Sequence, residues 1–146
     1  MISVEKRRAL RLTLDLPVTV ESVGQAELVL DPALERIYQR VRAADERRGD
    51  RIAGVLRDLS TNGAFIAGEP LPLLSRVALR FALGRLDVEA IGWTLWRRSE
   101  DCVIPREASP PISLARGFGV LFEAISFEAR LLITKMVTQA SRAPAR

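Results

Sequence analysis

Six residues near the middle of the chain, Asp58-Leu59-Ser60-Thr61-Asn62-Gly63, combine a carboxylate, a hydroxyl and a glycine at short spacing. Asp58 and Ser60 have short side chains that bond nearby backbone groups and so stabilise turns. Gly63 can take positive φ and lets another group approach the backbone closely. On its own a D-x-S-x-x-G segment is an ordinary connector. A second chemistry-bearing stretch lies some fifty residues upstream, Glu5-Lys6-Arg7-Arg8-Ala9-Leu10-Arg11, with four basic residues against one acidic. Arginine dominates the basic residues, with lysine only at Lys6 and Lys135. Arginine forks suit phosphate and the acceptor edge of guanine, whereas lysine acts as a point charge. The formal net charge of +4 favours an anionic partner. From composition alone a solvated basic surface is the favoured reading.

What the chain lacks narrows the chemistry. It has no histidine, which removes the commonest general base and metal ligand. With Cys102 as the single cysteine, a zinc site would need several carboxylates, and the sequence shows no such cluster. An enzyme is therefore the least expected class, and neither a metal nor a cofactor is expected. No internal disulfide can form, so a reducing compartment, the cytoplasm, is the expectation. No window approaches ~18 uncharged apolar residues, and the N-terminal residues carry no apolar signal core. A length of 146 residues, 48% hydrophobic and 27% charged, fits one globular domain with a modest core.

The elements that must position these residues read mostly as β. A basic arm, residues 1–11, leads into Leu12-Thr13-Leu14-Asp15-Leu16, which alternates apolar and polar. Pro17 lacks a ladder donor and belongs at a strand start or edge. Val18 to Val23 continues the alternation, and Gly24 ends it. Residues 31–48 read as an amphipathic helix, with Asp31 as N-cap, Pro32 at the first helical position, and Leu30, Leu34, Ile37, Val41 and Ala44 on one stripe. That stripe packs on its own domain or forms a short seam with another chain. Strands are predicted over about 52–58 and 64–67, flanking the Asp58–Gly63 turn, then 77–83, a connection at Gly84-Arg85, and 86–98 with a bulge or bend at Gly92. Residues 99–115, with Pro105, Pro110 and Pro111, read as a surface loop. A last strand follows from Arg116 to Phe122. Ser126 then caps a helix over about 127–139, whose Phe127, Leu131, Leu132, Ile133, Met136 and Val137 form a broad apolar docking face. A polar tail, 141–146, closes the chain. The pattern predicts a mainly β fold: a small antiparallel barrel, 12–140, with helices attached.

Taken together and in this order, Arg7-x-x-x-Arg11 and Asp58-x-Ser60-x-x-Gly63, each beside a strand, resemble the PilZ domain family, receptors for cyclic di-GMP. Asp15-Leu16-Pro17-Val18, Gly63-Ala64-Phe65-Ile66, Gly92 with Trp96, and Gly117-Phe118-Gly119-Val120-Leu121-Phe122 are similar to other family segments. The resemblance covers about residues 5–28 and 52–137. It implies a six-stranded antiparallel barrel with a C-terminal helix, and a bacterial second-messenger receptor rather than an enzyme. It assigns Asp58 and Ser60 to guanine contacts, and Gly63 to a close backbone approach. Arg7 and Arg11 have the fork chemistry to grip phosphate and guanine, and Arg8 can stack or add field. In the family the residue just before this arginine motif influences whether one ligand or a stacked pair binds, and with Lys6 at that position the resemblance implies a stacked ligand dimer. Binding would order the arm across the barrel and signal to an unidentified protein partner. The sequence departs from the family where residues 29–51 insert a helix between the first two strands. That helix keeps an alternative open: a ligand-independent adaptor or oligomerisation module using it as the partner surface. DNA or RNA binding rests on charge alone, and no membrane insertion is expected.

Overall fold

A computed structural model describes residues 11–24, 31–41 and 49–141 of the chain. Among the described residues eight strands and two helices follow in order: β1 Leu12–Ser22, α1 Pro32–Val41, β2 Arg51–Leu59, β3 Gly63–Ala67, β4 Arg76–Leu83, β5 Leu86–Arg98, β6 Cys102–Ile104, β7 Ile112–Leu114, β8 Gly117–Ile125 and α2 Phe127–Ser141. Six strands close into an antiparallel barrel in the order β1-β2-β3-β8-β5-β4, with β4 returning to β1. Closure leaves the barrel strands no free edge of the kind that invites aggregation.

Alternation makes the barrel. Val18 and Val20 of β1, Leu56 and Leu59 of β2, Ile66 of β3, Val77, Leu79, Phe81 and Leu83 of β4, Val88 of β5, and Phe118 and Val120 of β8 all point inward and are buried. Each fully buried aliphatic or aromatic side chain stabilises the fold by about 1.5–3 kcal/mol relative to exposure. Pro17 pairs with Val55 of β2, and β1 meets β4 only from Thr19 onward, so the proline sits where a donor is not needed. The β4–β5 connection is the two-residue turn Gly84-Arg85, with Gly84 at φ 63°.

Helix α2 starts at Ser126, whose Oγ accepts the Ala129 N–H at 3.1 Å. Ala129, Ile133 and Val137, four residues apart, form its buried stripe, with Leu132 and Met136 packed partly against the core. The broad docking face read from sequence is narrower than expected: Phe127 is 74% and Leu131 54% exposed, because they lie off that stripe. Helix α1 is capped by Asp31, whose Oδ1 accepts the Ala33 N–H at 2.9 Å. Of its expected seam, Ile37 is exposed; the side chains of Leu34 and Val41, and residues Leu30 and Ala44, lie outside the described residues. So do residues 1–10, most of the basic arm, and the tail beyond 141.

Residues 99–115 correct the sequence reading. They contain a second, two-stranded sheet, β6 paired with β7, rather than loop throughout. Cys102, Val103 and Ile104 pair with Leu114, Ser113 and Ile112. The prolines that argued against strands fall in the connection between them, where no ladder donor is required.

Candidate functional site

Ser60 organises the turn between β2 and β3. Its backbone N–H donates to the Gly63 carbonyl at 2.9 Å. Its hydroxyl donates to the same carbonyl at 3.3 Å and accepts the Asn62 and Gly63 N–H groups, each at 3.2 Å. A hydroxyl has one donor and two acceptor directions, and the turn uses all three. Ser60 is buried and shapes the loop from inside it. Among the described residues none makes a hydrogen bond or ion pair with the Asp58 carboxylate, which lines an open cleft beside the turn.

Gly63 pairs with Leu121 of β8, and a Cβ built on it would lie 2.3 Å from the Val120 carbonyl oxygen. The group that needs the glycine is therefore the neighbouring strand, and Gly63 is not among the residues with positive φ. Close approach was expected from sequence; a left-handed backbone was not needed.

Three strands, β3, β8 and β5, build the floor beside the turn. Phe65 pairs with Gly119, and Gly119 with Trp96. The absence of a side chain at 119 lets the two rings meet above it, with centroids 5.2 Å apart and planes inclined by 6°. A Cβ at 119 would fall 2.1 Å from Trp96 Nε1. The Arg98 guanidinium carbon lies 5.4 Å from both ring centroids, and its Nη1 donates to the Ala115 carbonyl at 2.7 Å. Trp96 is thus held flat on its inner side while 44% exposed. A register shift between Thr94 and Trp96 places Leu95 as an extra residue, so Leu95 and Trp96 are both exposed.

Arg11 comes immediately before β1, whose Leu12 pairs with Leu59 of β2. This register brings Arg11 level with the start of the turn. The cleft, about 260 Å³, is lined by Arg11, Asp58, Asn62, Gly63, Trp96 and Leu121, among others. One cation, one carboxylate and one exposed indole therefore share a concave surface on the barrel's outer face. Lys6, Arg7 and Arg8 lie outside the described residues. The structure so brings together Arg11, Asp58, Ser60 and Gly63 of the residues expected from sequence.

Trp96 carried no site role in the sequence reading, although its strand segment was noted. The signal is nonlocal, a glycine on one strand facing an aromatic on the next. Among the described residues no group of three or more His, Cys, Asp or Glu is placed to hold a metal. The carboxylates perturbed by neighbours lie elsewhere. Glu123 is held below its usual range by its hydrogen bond from Arg76 Nη2 at 2.6 Å, and by Trp93 Nε1 at 3.3 Å. Glu21 is lowered by Arg80 and then Arg51.

No family model matches the sequence, and no curated protein matches it. A solved structure does match: the PilZ domain of YcgR from Escherichia coli, determined with c-di-GMP, is similar over 94% of this chain and 92% of that one. The identity is 14% and the TM-score 0.52. The likeness extends over the barrel as a whole, and the chain therefore has a PilZ-like fold.

Proposed function

We propose that the chain is a receptor for cyclic di-GMP and not an enzyme. The observation that carries this reading is the cleft in which Arg11, Asp58 and the Trp96 ring converge beside the Ser60 turn. It lies on a barrel whose structural neighbour was solved with c-di-GMP. The ligand is a dianion with two guanines, and each of its parts has a counterpart here. A guanine stacks on the outer face of Trp96, whose inner side is already occupied. The Asp58 carboxylate accepts from the guanine N1–H and exocyclic amine. Arg11 pairs with a phosphate or with guanine O6 and N7. Ser60 acts through the loop geometry it holds, and Gly63 keeps β3 against β8 so that the cleft floor is flat.

A cleft of about 260 Å³ is just below the ~300 Å³ floor typical of small-molecule sites. It accommodates part of a dinucleotide and leaves the rest for the arginine motif. On this reading Arg7 and Arg8 close over the ligand, Lys6 favours a stacked ligand pair, and the composite surface so formed is what a downstream protein reads. Calorimetric titration with cyclic di-GMP tests the proposal and gives the stoichiometry. Saturable heat at micromolar protein, lost in Arg11→Ala, is expected; a folded sample that evolves no heat overturns it. Removal of one charge-assisted contact costs roughly 1.5–3 kcal/mol.

A further inference from the structure

The β6–β7 sheet has two strands and three pairs, and a two-stranded hairpin alone is marginal in water. Its faces differ. Cys102 and Leu114 are directly paired, as are Ile104 and Ile112, and the period of two puts all four on one face. That face is wholly apolar and largely uncovered, with Ile104 45% and Ile112 36% exposed and Cys102 exposed. Val103, 61% exposed, and Ser113 occupy the other face, which offers one apolar side chain against four.

The charges around this face are arranged with a symmetry of their own. About Val103 the sequence reads Glu100-Asp101-Cys102-Val103-Ile104-Pro105-Arg106, acidic on one side and basic on the other at equal distance. Arg106 is fixed at the hairpin tip by Nε and Nη2 bonds to the Pro110 carbonyl at 3.0 and 2.8 Å. A two-fold axis through the level of Val103 and Ser113 reverses one hairpin over another. It lays Cys102 over Ile104 of the second copy and Glu100 against Arg106 of the second copy, twice by symmetry. Apolar meets apolar and acid meets base with no new group required.

We infer that the β6–β7 hairpin is a self-association surface, and that its occupant is the same hairpin of a second copy, packed face to face and reversed. The contact covers the face that carries four apolar side chains and closes as a point-group dimer, without fibre growth.

Light scattering of the ligand-free protein tests this independently of any ligand. At tens of micromolar the unchanged chain is expected at twice the mass of one copy. Ile104→Asp should halve that mass while the chain stays folded, because the side chain is exposed on the hairpin; only the part of the melting temperature that association contributes should be lost. Arg106→Glu alone should weaken the dimer, and Glu100→Arg/Arg106→Glu should restore it. Mild oxidation of the unchanged chain mixed with a Cys102→Ala/Ile104→Cys chain should give a disulfide-linked pair that neither forms alone. A single-copy mass at every concentration overturns the inference. So does a dimer that survives Ile104→Asp, since the contact then lies on another surface.

Discussion

The Trp96 shelf can be dismantled without removing any side chain that the cleft offers to the ligand. In Gly119→Ala the new Cβ starts 2.1 Å from Trp96 Nε1 and 2.3 Å from Cε2, so the ring must retreat by more than an ångström before the contact becomes ordinary. The obstructing atoms belong to a half-exposed side chain and not to backbone, so the ring yields and the β3-β8-β5 ladder stays. What the fold loses is the Phe65–Trp96 stack, worth about 0.5–1.5 kcal/mol, and the Arg98 cation–π contact, worth about 0.5–1 kcal/mol at an exposed site. The variant therefore remains folded at 25 °C, with stability reduced by at most about 2–3 kcal/mol. What the site loses is a fixed platform. Stacking of a base on an aromatic residue is worth about 1–3 kcal/mol, which corresponds to a roughly 5- to 150-fold weaker Kd for cyclic di-GMP. Calorimetry on Gly119→Ala, Trp96→Ala and the double variant reads this directly. The double variant should bind no more weakly than Trp96→Ala alone, because both changes remove one interaction. If Gly119→Ala binds as tightly as the unchanged chain while Trp96→Ala does not, the ring does not need the glycine and the account of the shelf is wrong. If neither variant weakens binding, Trp96 is no platform at all.

Gly63→Ala contrasts with this, because its Cβ meets the Val120 carbonyl oxygen at 2.3 Å and backbone cannot step aside cheaply. Overpacking of this kind costs about 1–3 kcal/mol, and the melting temperature should fall by several degrees. Ser60→Ala removes the hydroxyl that makes three bonds within the turn, so both thermal stability and ligand affinity should drop, whereas Asp58→Ala should lower affinity with an unchanged melt. Ile133 is fully buried at the barrel end, and Ile133→Ala should cost about 2–5 kcal/mol in denaturant titration, while exposed Leu131→Ala should change stability by less than about 0.5 kcal/mol. For Glu123, Arg76 and Trp93 lower the folded-state pKa below the ordinary 4.5, so its contribution is present above that value and is lost as pH falls through 4.5 towards the lower folded value. Thermal melts of Glu123→Gln and the unchanged chain should differ at neutral pH and converge in acid; a difference that does not shrink as the pH falls below 4.5 would contradict the assignment.

Much of the barrel is written locally. Alternation in β1, β2 and β5 shows directly in the order of apolar and polar residues, and Gly92 marks a place where the β5–β8 register does shift. The turn at Asp58–Gly63 is equally local, since Ser60 bonds only residues within three positions. Three features were not legible, each for a physical reason. The β6–β7 sheet hides among prolines, which exclude ladder positions but not the strands on either side of a loop. The buried stripe of α2 runs through Ala129, whose small side chain gives little signal beside Phe127 and Leu131. The Trp96 shelf depends on β8 lying between β3 and β5, and no spacing in the sequence specifies which strands are neighbours.

The described part of the site is rigid for reasons that bear on how it responds. Ser60 has no unused hydrogen-bonding direction, Gly63 is locked against Val120, and Trp96 is backed by Phe65, Gly119 and Arg98. A ligand that meets such a surface spends little binding energy on rearranging it. An affinity loss in Arg7→Ala or Arg8→Ala would report on closure over the ligand, whereas a loss in Asp58→Ala or Trp96→Ala would report on a surface already in place. The two groups should separate kinetically. Changes on the preformed surface should act mainly on the dissociation rate, as they do in related complexes generally, while loss of arginine charge should also slow association and lessen its dependence on salt. Stopped-flow binding at two ionic strengths distinguishes them, and identical rate effects from both groups would mean that the cleft and the arm do not play different parts.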